Sequence, residues 1–261
     1  MQDIFDEIID CIRSEQDSYG TVYVGKSHLL EFVKDIPAAG QPQPEPPSFS
    51  RIEDPSAEIR KNPAFAPVPD VSAMGWTELK QAVAGCRGCR LCQQRRHTVF
   101  SDGNEHAELM FIGEGPGADE DAQGIPFVGR AGQLLTKMIT AMQFRREEVY
   151  IANIVKCRPP GNRNPEDDEM AVCLPYLQRQ IELVSPKVIV LLGNIALKGL
   201  LNRSGISKHR GQWTDYHGIM VMPTFHPSYL LRFEHEKGKA WSDLQQVMKV
   251  FGKVYKKQIG S

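Results

Sequence analysis

The sequence lacks the segments that carry a protein into or across a membrane. No run of about 20 apolar residues is present that could span a bilayer. The first residues also lack the basic and then apolar character of a signal peptide. We therefore expect a cytoplasmic protein with no membrane partner. In that compartment, six cysteines are more often metal ligands or buried thiols than disulfides.

Net charge is also nearly absent, because the formal charge of the chain is -1. The average hides an asymmetry between the two ends. Residues 1–72 hold 6 Lys and Arg against 13 Asp and Glu, whereas residues 202–261 hold 10 Lys and Arg against 4 Asp and Glu. The sequence therefore permits a local basic surface on a protein that is not basic overall.

Internal repeats are absent too, and composition divides the chain into three parts. We expect an acidic, partly helical extension over residues 1–35, since apolar side chains in 2–13 recur on one helical face. The dense prolines of residues 36–73 are typical of a disordered linker. Residues 74–261 are then a folded domain, which we expect to be monomeric. The extension could bind a protein partner, mediate dimerisation or be a dispensable tail.

The folded part alternates strand-like and helix-like segments. Apolar runs predict strands at 108–112, 149–154, 188–192 and 220–223. Helical patterns lie before, between and after them, at 76–84, 133–142, 165–184, 194–201 and 240–257. This alternation predicts βαβ units and a mainly parallel sheet with helices on both faces.

A glycine-rich, acidic turn follows the first predicted strand. The turn runs over residues 113–121 with the sequence Gly-Glu-Gly-Pro-Gly-Ala-Asp-Glu-Asp. Its carboxylates would repel a phosphate, and no Gly-Lys-Ser/Thr follows, so a phosphate-binding loop is excluded. Open α/β sheets bind ligands outside the carboxyl ends of their strands, where this turn lies. The alternative is an ordinary acidic surface loop.

The cysteines indicate a metal or cluster site. Cys86 and Cys89 form a C-x2-C pair, while Cys157 follows a predicted strand and Cys173 lies near the next helix. Four thiolates from two regions suit a tetrahedral zinc or a [4Fe–4S] cluster, and spacing alone does not separate the two. Cys92 could replace Cys89 or be a buried bystander.

Three further residues stand at predicted strand ends and together suit a nucleobase. Asn153 closes one strand, His226 follows the last strand, and Phe127 follows the acidic turn. An Asn side chain can donate to one ring carbonyl and accept from an adjacent ring N–H, which fits uracil and mismatches cytosine. Phe127 could stack on the base. The competing interpretation is a strand-end cap, a loop histidine and a core ring.

Three long motifs carry a specific resemblance. Residues 113–135, the run Tyr150-Ile-Ala-Asn-Ile-Val-Lys-Cys-Arg-Pro-Pro160, and Phe225-His-Pro-Ser-Tyr-Leu-Leu-Arg232 resemble the family 4 uracil-DNA glycosylases, which are iron–sulfur enzymes. The similarity covers about residues 76–255. It implies a three-layer α/β/α sandwich around a four-stranded, mainly parallel sheet. It also implies a [4Fe–4S] cluster on Cys86, Cys89, Cys157 and Cys173, with Cys92 an extra cysteine.

The resemblance further implies a hydrolase that removes uracil from single- or double-stranded DNA, the first step of base excision repair. By motif matching, Glu114 and Gly115 line the uracil pocket, Phe127 stacks on the base, Asn153 reads its edge and His226 contacts O2. We choose Glu120 over Asp119 as the water-positioning carboxylate. The catalytic set is then Glu120, Asn153 and His226.

The DNA contacts expected for such an enzyme lie on three segments. They are Arg130 at a helix start, Lys208 and Arg210, and the loop that contains Pro227, Ser228, Leu230, Leu231 and Arg232. Leu230 or Leu231 could wedge into the gap left by a flipped base.

Three other functions remain as alternatives. One relative of the family bonds covalently to DNA through its histidine, but such members carry a basic insert that is missing from residues 222–226 here. A DNA-binding iron–sulfur protein without catalysis is the second alternative, and a nucleotide-binding module stabilised by zinc is the third.

Overall fold

The computed structural model describes residues 65–254. The predicted N-terminal helix, residues 36–64 of the predicted linker, and the last residues of the predicted C-terminal helix lie outside the described residues. None of the helices that the structure describes combines the length and the hydropathy needed to cross a bilayer.

One mixed sheet organises residues 65–254. Its strands are β1 (Asp102–Gly103), β2 (Leu109–Gly113), β3 (Tyr150–Asn153), β4 (Val188–Leu192), β5 (Thr214–Tyr216) and β6 (Ile219–Thr224). Their order across the sheet is β1-β3-β2-β4-β6-β5. The pairs formed among β3, β2, β4 and β6 are parallel, whereas β1 and β5 pair antiparallel at the two edges.

The α/β class and the parallel core are confirmed, but the expected number of strands is wrong. Over the described residues the sheet has six strands rather than four. The two additional strands are only two and three residues long. Strands this short, half-exposed at a sheet edge, carry too little apolar periodicity to be recognised in a sequence.

The helices cover both faces of the sheet. They are α1 (Trp76–Ala84), α2 (Ala118–Gln123), α3 (Arg130–Ala141), α4 (Asp167–Val184), α5 (Gly193–Leu201), α6 (Ile206–His209), α7 (Pro227–Arg232) and α8 (Lys237–Val250). The five predicted helices correspond to α1, α3, α4, α5 and α8. The short helices α2, α6 and α7 were not predicted, because six residues or fewer do not establish a helical period.

Alternate residues of the strands enter two separate cores. Met110 and Ile112 pack on the face that α1, α4 and α5 cover, whereas Leu109 and Phe111 pack on the face of α3 and α8. Both sets are buried, so β2 is apolar on both sides, as parallel strands between helical layers usually are. The three-layer arrangement is thereby confirmed.

The last residues of the predicted linker pack against the domain. Val71 is buried in the core beneath α1, and Val68 packs against the same core. The backbone N–H of Ala66 donates to the carbonyl of Arg87 at 3.1 Å. The folded region therefore begins several residues before position 74. The predicted extension (1–35) and most of the predicted linker lie outside the described residues.

The register brings the ends of the parallel strands to one edge of the sheet. Gly113 at the end of β2 pairs with Asn153 at the end of β3. Leu192 at the end of β4 pairs with Thr224 at the end of β6. The segments that follow these strand ends carry the acidic turn and His226, which therefore lie along one edge.

Candidate active site and cysteine cavity

The side chains of Asn153 and Phe127 meet above the end of β2. A β-carbon at position 113 would lie 2.5 Å from Oδ1 of Asn153 and 2.5 Å from Cζ of Phe127. Only glycine leaves room for this approach. The Oδ1 atom of Asn153 is buried and has no hydrogen-bond partner among the described residues. A buried amide carbonyl without a partner is costly, so it marks the place where a ligand N–H could bind.

Phe127 is held in a conformation that few non-glycine residues adopt. Its φ angle is 54°, in the left-handed region. On one side, Arg146 donates to the carbonyl of Pro126 at 2.7 Å and to Asp102 at 2.8 Å. On the helix side, a β-carbon at Gly132 would lie 1.8 Å from the Phe127 carbonyl oxygen. The backbone of Phe127 is therefore fixed from both directions, which sets the position of its ring.

The carboxylate of Glu120 closes the acidic turn. It accepts hydrogen bonds from the backbone N–H groups of Gly117 at 3.0 Å, Val128 at 2.9 Å and Gly129 at 3.0 Å. Glu120 is buried, whereas Asp119 is exposed. A carboxylate offers about four lone-pair sites, so Glu120 keeps room for one further donor such as a water. Glu120 therefore joins the start of α2 to the residues that follow Phe127.

The backbone beyond β6 presents the imidazole of His226 to the same edge. Its ring centroid lies 5.7 Å from that of Phe127. Gly193 has a φ of 87°, and a β-carbon there would lie 2.8 Å from Cβ of His226. The backbone N–H of Ser228 donates to Nδ1 of His226 at 3.1 Å, and the Ser228 hydroxyl lies 2.8 Å from the same nitrogen. Because Nδ1 accepts, the proton of a neutral ring resides on Nε2.

Two ionisable groups at this edge have shifted pKa values. The pKa of His226 is lowered to about 4, mainly by burial and also by the nearby positive charge of Arg232, whereas Glu120 opposes the shift. His226 is therefore neutral at pH 7. Burial raises the pKa of the Glu114 carboxyl to about 7. No hydrogen bond or ion pair to the Glu114 side chain exists within residues 65–254.

Gly115, the other predicted pocket residue of the turn, is half-buried and packs closely on the next strand end. A β-carbon at Gly115 would lie 2.6 Å from Cγ2 of Val155.

The predicted DNA contacts fall into two groups. Arg130, Lys208 and Arg232 are exposed, and none of them pairs with a carboxylate among the described residues. Arg210 instead forms an ion pair with Asp243, which is buried. Its guanidinium also donates to the Lys239 carbonyl. The guanidinium of Arg210 is thus occupied by contacts within the domain.

The predicted wedge residues differ in exposure. Leu230 is 1% exposed and packs with Phe225 and Ala240, so it is not available to enter DNA without unpacking. Leu231 is half-buried. Pro227 is buried at the first turn of α7, and Ser228 is exposed.

Five cysteines of the described residues line one cavity on the α1 and α4 side. They are Cys86, Cys89, Cys92, Cys157 and Cys173. Arg95 also lines this cavity and its Nη1 lies 3.1 Å from Sγ of Cys157, while the backbone N–H of Lys156 donates to Sγ of Cys173 at 3.2 Å. Within residues 65–254, no three His, Cys, Asp or Glu side chains converge as ligands of a single metal ion.

Sequence reasoning missed Gly193, Arg146 and Lys156. A glycine directly after the buried strand β4 is a signal that could have identified Gly193. Arg146 and Lys156 gave no comparable signal, because their roles depend on contacts with residues far along the chain.

The family model described as the uracil DNA glycosylase superfamily matches residues 100–245. A type-4 uracil-DNA glycosylase of Thermotoga maritima is 48% identical over 157 residues, which are 59% of this chain and 82% of that protein. The protein of the same name from Sulfurisphaera tokodaii is 45% identical over 164 residues, covering 59% of this chain and 74% of its own.

A third protein with that name, from Archaeoglobus fulgidus, is 38% identical over 185 residues, covering 67% of this chain and 93% of its own length. The segment that the family model matches includes the acidic turn, the end of β3 and the His226 motif. This chain belongs to the uracil DNA glycosylase superfamily.

Proposed function

We propose that the protein is a uracil-DNA glycosylase that hydrolyses the bond between uracil and deoxyribose and leaves an abasic site. The observation that carries the proposal is the Oδ1 atom of Asn153, which is buried beside the ring of Phe127 and has no hydrogen-bond partner in residues 65–254. Relatives bearing the name type-4 uracil-DNA glycosylase support it.

Asn153 would select the base. Its Oδ1 accepts from N3–H of uracil, and its amide N–H donates to O4. Cytosine presents an acceptor at N3 and a donor at the 4-position, so neither hydrogen bond could form. A site built to pair with a hydrogen-bonding edge strongly rejects a base that leaves its buried groups unpaired. Phe127 would stack on the face of the flipped base.

His226 would stabilise the leaving base. Since Nδ1 accepts from Ser228, the neutral ring carries its proton on Nε2. As the C1′–N1 bond breaks, its electron pair leaves with uracil, and negative charge builds on O2. An N–H donor aimed at O2 is therefore stronger in the transition state than in the ground state. Removing one such donor typically lowers the rate by about a hundredfold or more.

Glu120 would hold the attacking water beside the sugar. The water oxygen bonds to C1′, its proton passes to the carboxylate or to solvent, and the negative charge offsets the positive charge that develops on the sugar. Three backbone N–H donors hold the Glu120 carboxylate in place. Glu114 would line the base pocket together with Gly115.

The substrate is expected to be DNA, held through its phosphates. Arg130, Lys208 and Arg232 are exposed and pair with no carboxylate between residues 65 and 254. They would supply positive charge for this interaction, which should make binding sensitive to salt.

The cysteine cavity fits an anionic iron–sulfur cluster. Burial raises the pKa of Cys89 to about 12 and also raises the pKa values of Cys157 and Cys173. These thiols therefore ionise at neutral pH only when metal bonds to the sulfur. The guanidinium of Arg95 and the backbone N–H of Lys156, which lie against the sulfurs of Cys157 and Cys173, suit a negatively charged group.

Cys86, Cys89, Cys157 and Cys173 would be the cluster ligands. A [4Fe–4S] cluster binds each cysteine through a separate iron, so its ligands need not converge on one point. Once bound, it would cross-link the loop of Cys86 to α4, a structural role.

An excision assay tests the proposed function. Protein purified without air is incubated with an oligonucleotide that carries one uracil, and the product is treated with alkali and run on a denaturing gel. We expect a cleaved strand with the unmodified protein, and a cleavage rate at least about a hundredfold lower with Asn153→Ala or His226→Ala. An SDS-resistant protein–DNA complex would instead indicate covalent trapping. DNA binding without either product would indicate a binding protein.

A further inference from the structure

Lys156 is a buried lysine that base removal, as described above, does not use. Its exposed fraction is 1%, and no carboxylate pairs with it in the part of the chain that the structure describes. Lysine is almost never buried to this degree unless it is paired. The position of its ammonium group therefore calls for a physical explanation.

The ammonium group of Lys156 is held between two oxygen acceptors. Nζ donates to the backbone carbonyl of Asn153 at 2.9 Å and to Oε1 of Gln180 at 2.5 Å. Gln180 is itself fixed, because its Nε2 donates to the hydroxyl of Tyr150 at 3.0 Å and to the carbonyl of Phe100 at 3.2 Å. The charge is thus fixed in place by neutral dipoles, at the end of β3.

The bond to the Asn153 carbonyl restrains the residue that faces the base pocket. This carbonyl belongs to the peptide that leaves β3, and its orientation depends on the ψ angle of Asn153. Within the described part of the chain, the Oδ1 atom of Asn153 has no hydrogen-bond partner that would orient the side chain. The backbone therefore supplies most of the restraint on where that amide points, and Lys156 fixes the backbone.

The backbone of Lys156 connects in the other direction to the cysteine cavity. Its N–H donates to Sγ of Cys173 at 3.2 Å, and its carbonyl accepts from Val99 at 2.8 Å. Cys157 is the next residue in the chain. One residue thus contacts a cavity cysteine through its backbone and the pocket residue Asn153 through its side chain.

We propose that Lys156 is a positioning residue that orients Asn153 for base recognition and connects the cysteine cavity to the base pocket. The inference rests on the proposed function, in which Asn153 contacts uracil. It also predicts how the cysteine site affects excision: displacement of the 156–157 segment moves the carbonyl and amide of Asn153.

A double-mutant cycle tests the inference. Lys156→Met keeps the apolar stem and removes the donor. We expect it to lower kcat/KM for uracil excision by about 10- to 100-fold, since small displacements at a site can cost this much. In the Asn153→Ala background the same change should lower the residual activity by less than about twofold, because a residue that acts through Asn153 has nothing left to orient.

The matched control is Lys187→Met. Lys187 is exposed and also donates to a backbone carbonyl. It directly precedes β4, so it lies at the amino ends of the parallel strands, opposite the candidate site. This variant should retain full activity. Iron content and thermal stability are measured for every variant. If Lys156→Met does not fold, Gln180→Leu removes the second acceptor and should give a smaller loss with the same dependence on Asn153.

Two results would overturn the inference. The first is an unchanged kcat/KM for Lys156→Met. The second is the same fractional loss of activity from Lys156→Met in the Asn153→Ala background as in the unmodified protein, which would indicate a general structural role. If the unmodified protein removes no uracil, the proposed function fails, and the crystal structure of Lys156→Met decides the inference. A displaced or doubled Asn153 side chain would support the positioning role, whereas an unchanged one would refute it.

Discussion

The ring of Phe127 contacts the ring of His226, with 5.7 Å between their centroids and 31° between their planes. The ring of Phe127 comes from the segment between α2 and α3, and the ring of His226 comes from the segment after β6. Since Phe127 is also next to Asn153 above Gly113, its ring joins the two polar groups of the site. Burial is the main cause of the low pKa of His226, and the ring of Phe127 contributes to that burial.

The first prediction concerns pH and His226. Because its pKa is lowered to about 4, we expect the single-turnover excision rate to be independent of this group from pH 8 to pH 5 and to fall as pH approaches 4. Protonation would place a hydrogen on Nδ1 and break the bond from Ser228. Arg232→Gln removes a charge that lowers this pKa, so the fall should move to higher pH.

The measurement of this pH profile uses the Glu114→Gln variant as its background, so that a second group does not titrate in the same range. A fall centred near pH 6.5, the usual pKa of histidine, would contradict the buried neutral imidazole.

The second prediction concerns stability and Glu114. Its pKa is about 7 in the folded protein against 4.5 for a free side chain, so the folded state binds more protons between these values. Stability contributed by this group is therefore lost as pH rises from about 4.5 through about 7. Glu114→Gln should remove this dependence and raise the unfolding free energy at pH 8 by about 1–2 kcal/mol, allowing for solvent screening.

Denaturant unfolding at pH 4.5 and pH 8 measures this effect. The exposed Glu147→Gln is the control and should leave the pH dependence unchanged. If the unfolding free energy changes equally between pH 4.5 and pH 8 in the unmodified protein and in Glu114→Gln, the Glu114 carboxyl is not desolvated.

The third prediction separates the two neighbouring carboxylates. Glu120→Gln replaces an acceptor that serves three backbone N–H groups, so we expect a decrease of about 1–3 kcal/mol in stability together with a large decrease in kcat. Asp119→Asn should change neither, since no hydrogen bond to its side chain exists among the described residues. The opposite pattern, with kcat reduced only in Asp119→Asn, would assign the water to Asp119.

The parallel strands are confirmed, and the sequence also predicted that Asn153 and His226 lie at the carboxyl ends of these strands, where the candidate site is. Strands such as Val188–Leu192 are continuous apolar runs, since both faces are buried. Asn153 and His226 follow such runs directly, so their place at the strand ends could be inferred before any contact was known.

Other features depend on partners that are distant in the chain. Arg210 is an exposed cation by sequence, yet it is bound to Asp243, 33 positions later. Leu230 is one of two adjacent leucines, and only packing against Phe225 and Ala240 identifies it as the buried one. The hydrogen bond of Lys156 to Gln180 likewise has no local pattern.

The fourth prediction uses this difference between the cations. Lys208→Gln and Arg232→Gln should each weaken DNA binding and reduce the slope of log K against log salt concentration by about 0.9 for each phosphate that the variant no longer neutralises. Arg210→Gln is the matched control variant, because it also removes one positive charge, but from the ion pair with Asp243. It should leave the salt slope unchanged and lower stability by about 3–5 kcal/mol, as breaking a buried pair does. A reduced slope for Arg210→Gln would mean that its guanidinium binds DNA after all.

The fifth prediction distinguishes the cysteines of the cavity. If Cys86, Cys89, Cys157 and Cys173 bind a [4Fe–4S] cluster, Cys89→Ser should lower the iron content and the absorbance near 400 nm and should destabilise the fold. Cys92→Ser should retain both signals, although Cys92 lines the same cavity.

Arg95→Gln provides a third comparison for this site, because it removes the donor to Cys157 without removing a ligand. It should retain iron but release it faster to a chelator, since hydrogen bonds to ligand sulfurs stabilise their charge. If Cys92→Ser lacks iron and Cys89→Ser retains it, Cys92 is the cluster ligand and Cys89 is not. If protein purified without air contains zinc and no iron, the cysteines bind a tetrahedral zinc ion and not an iron–sulfur cluster.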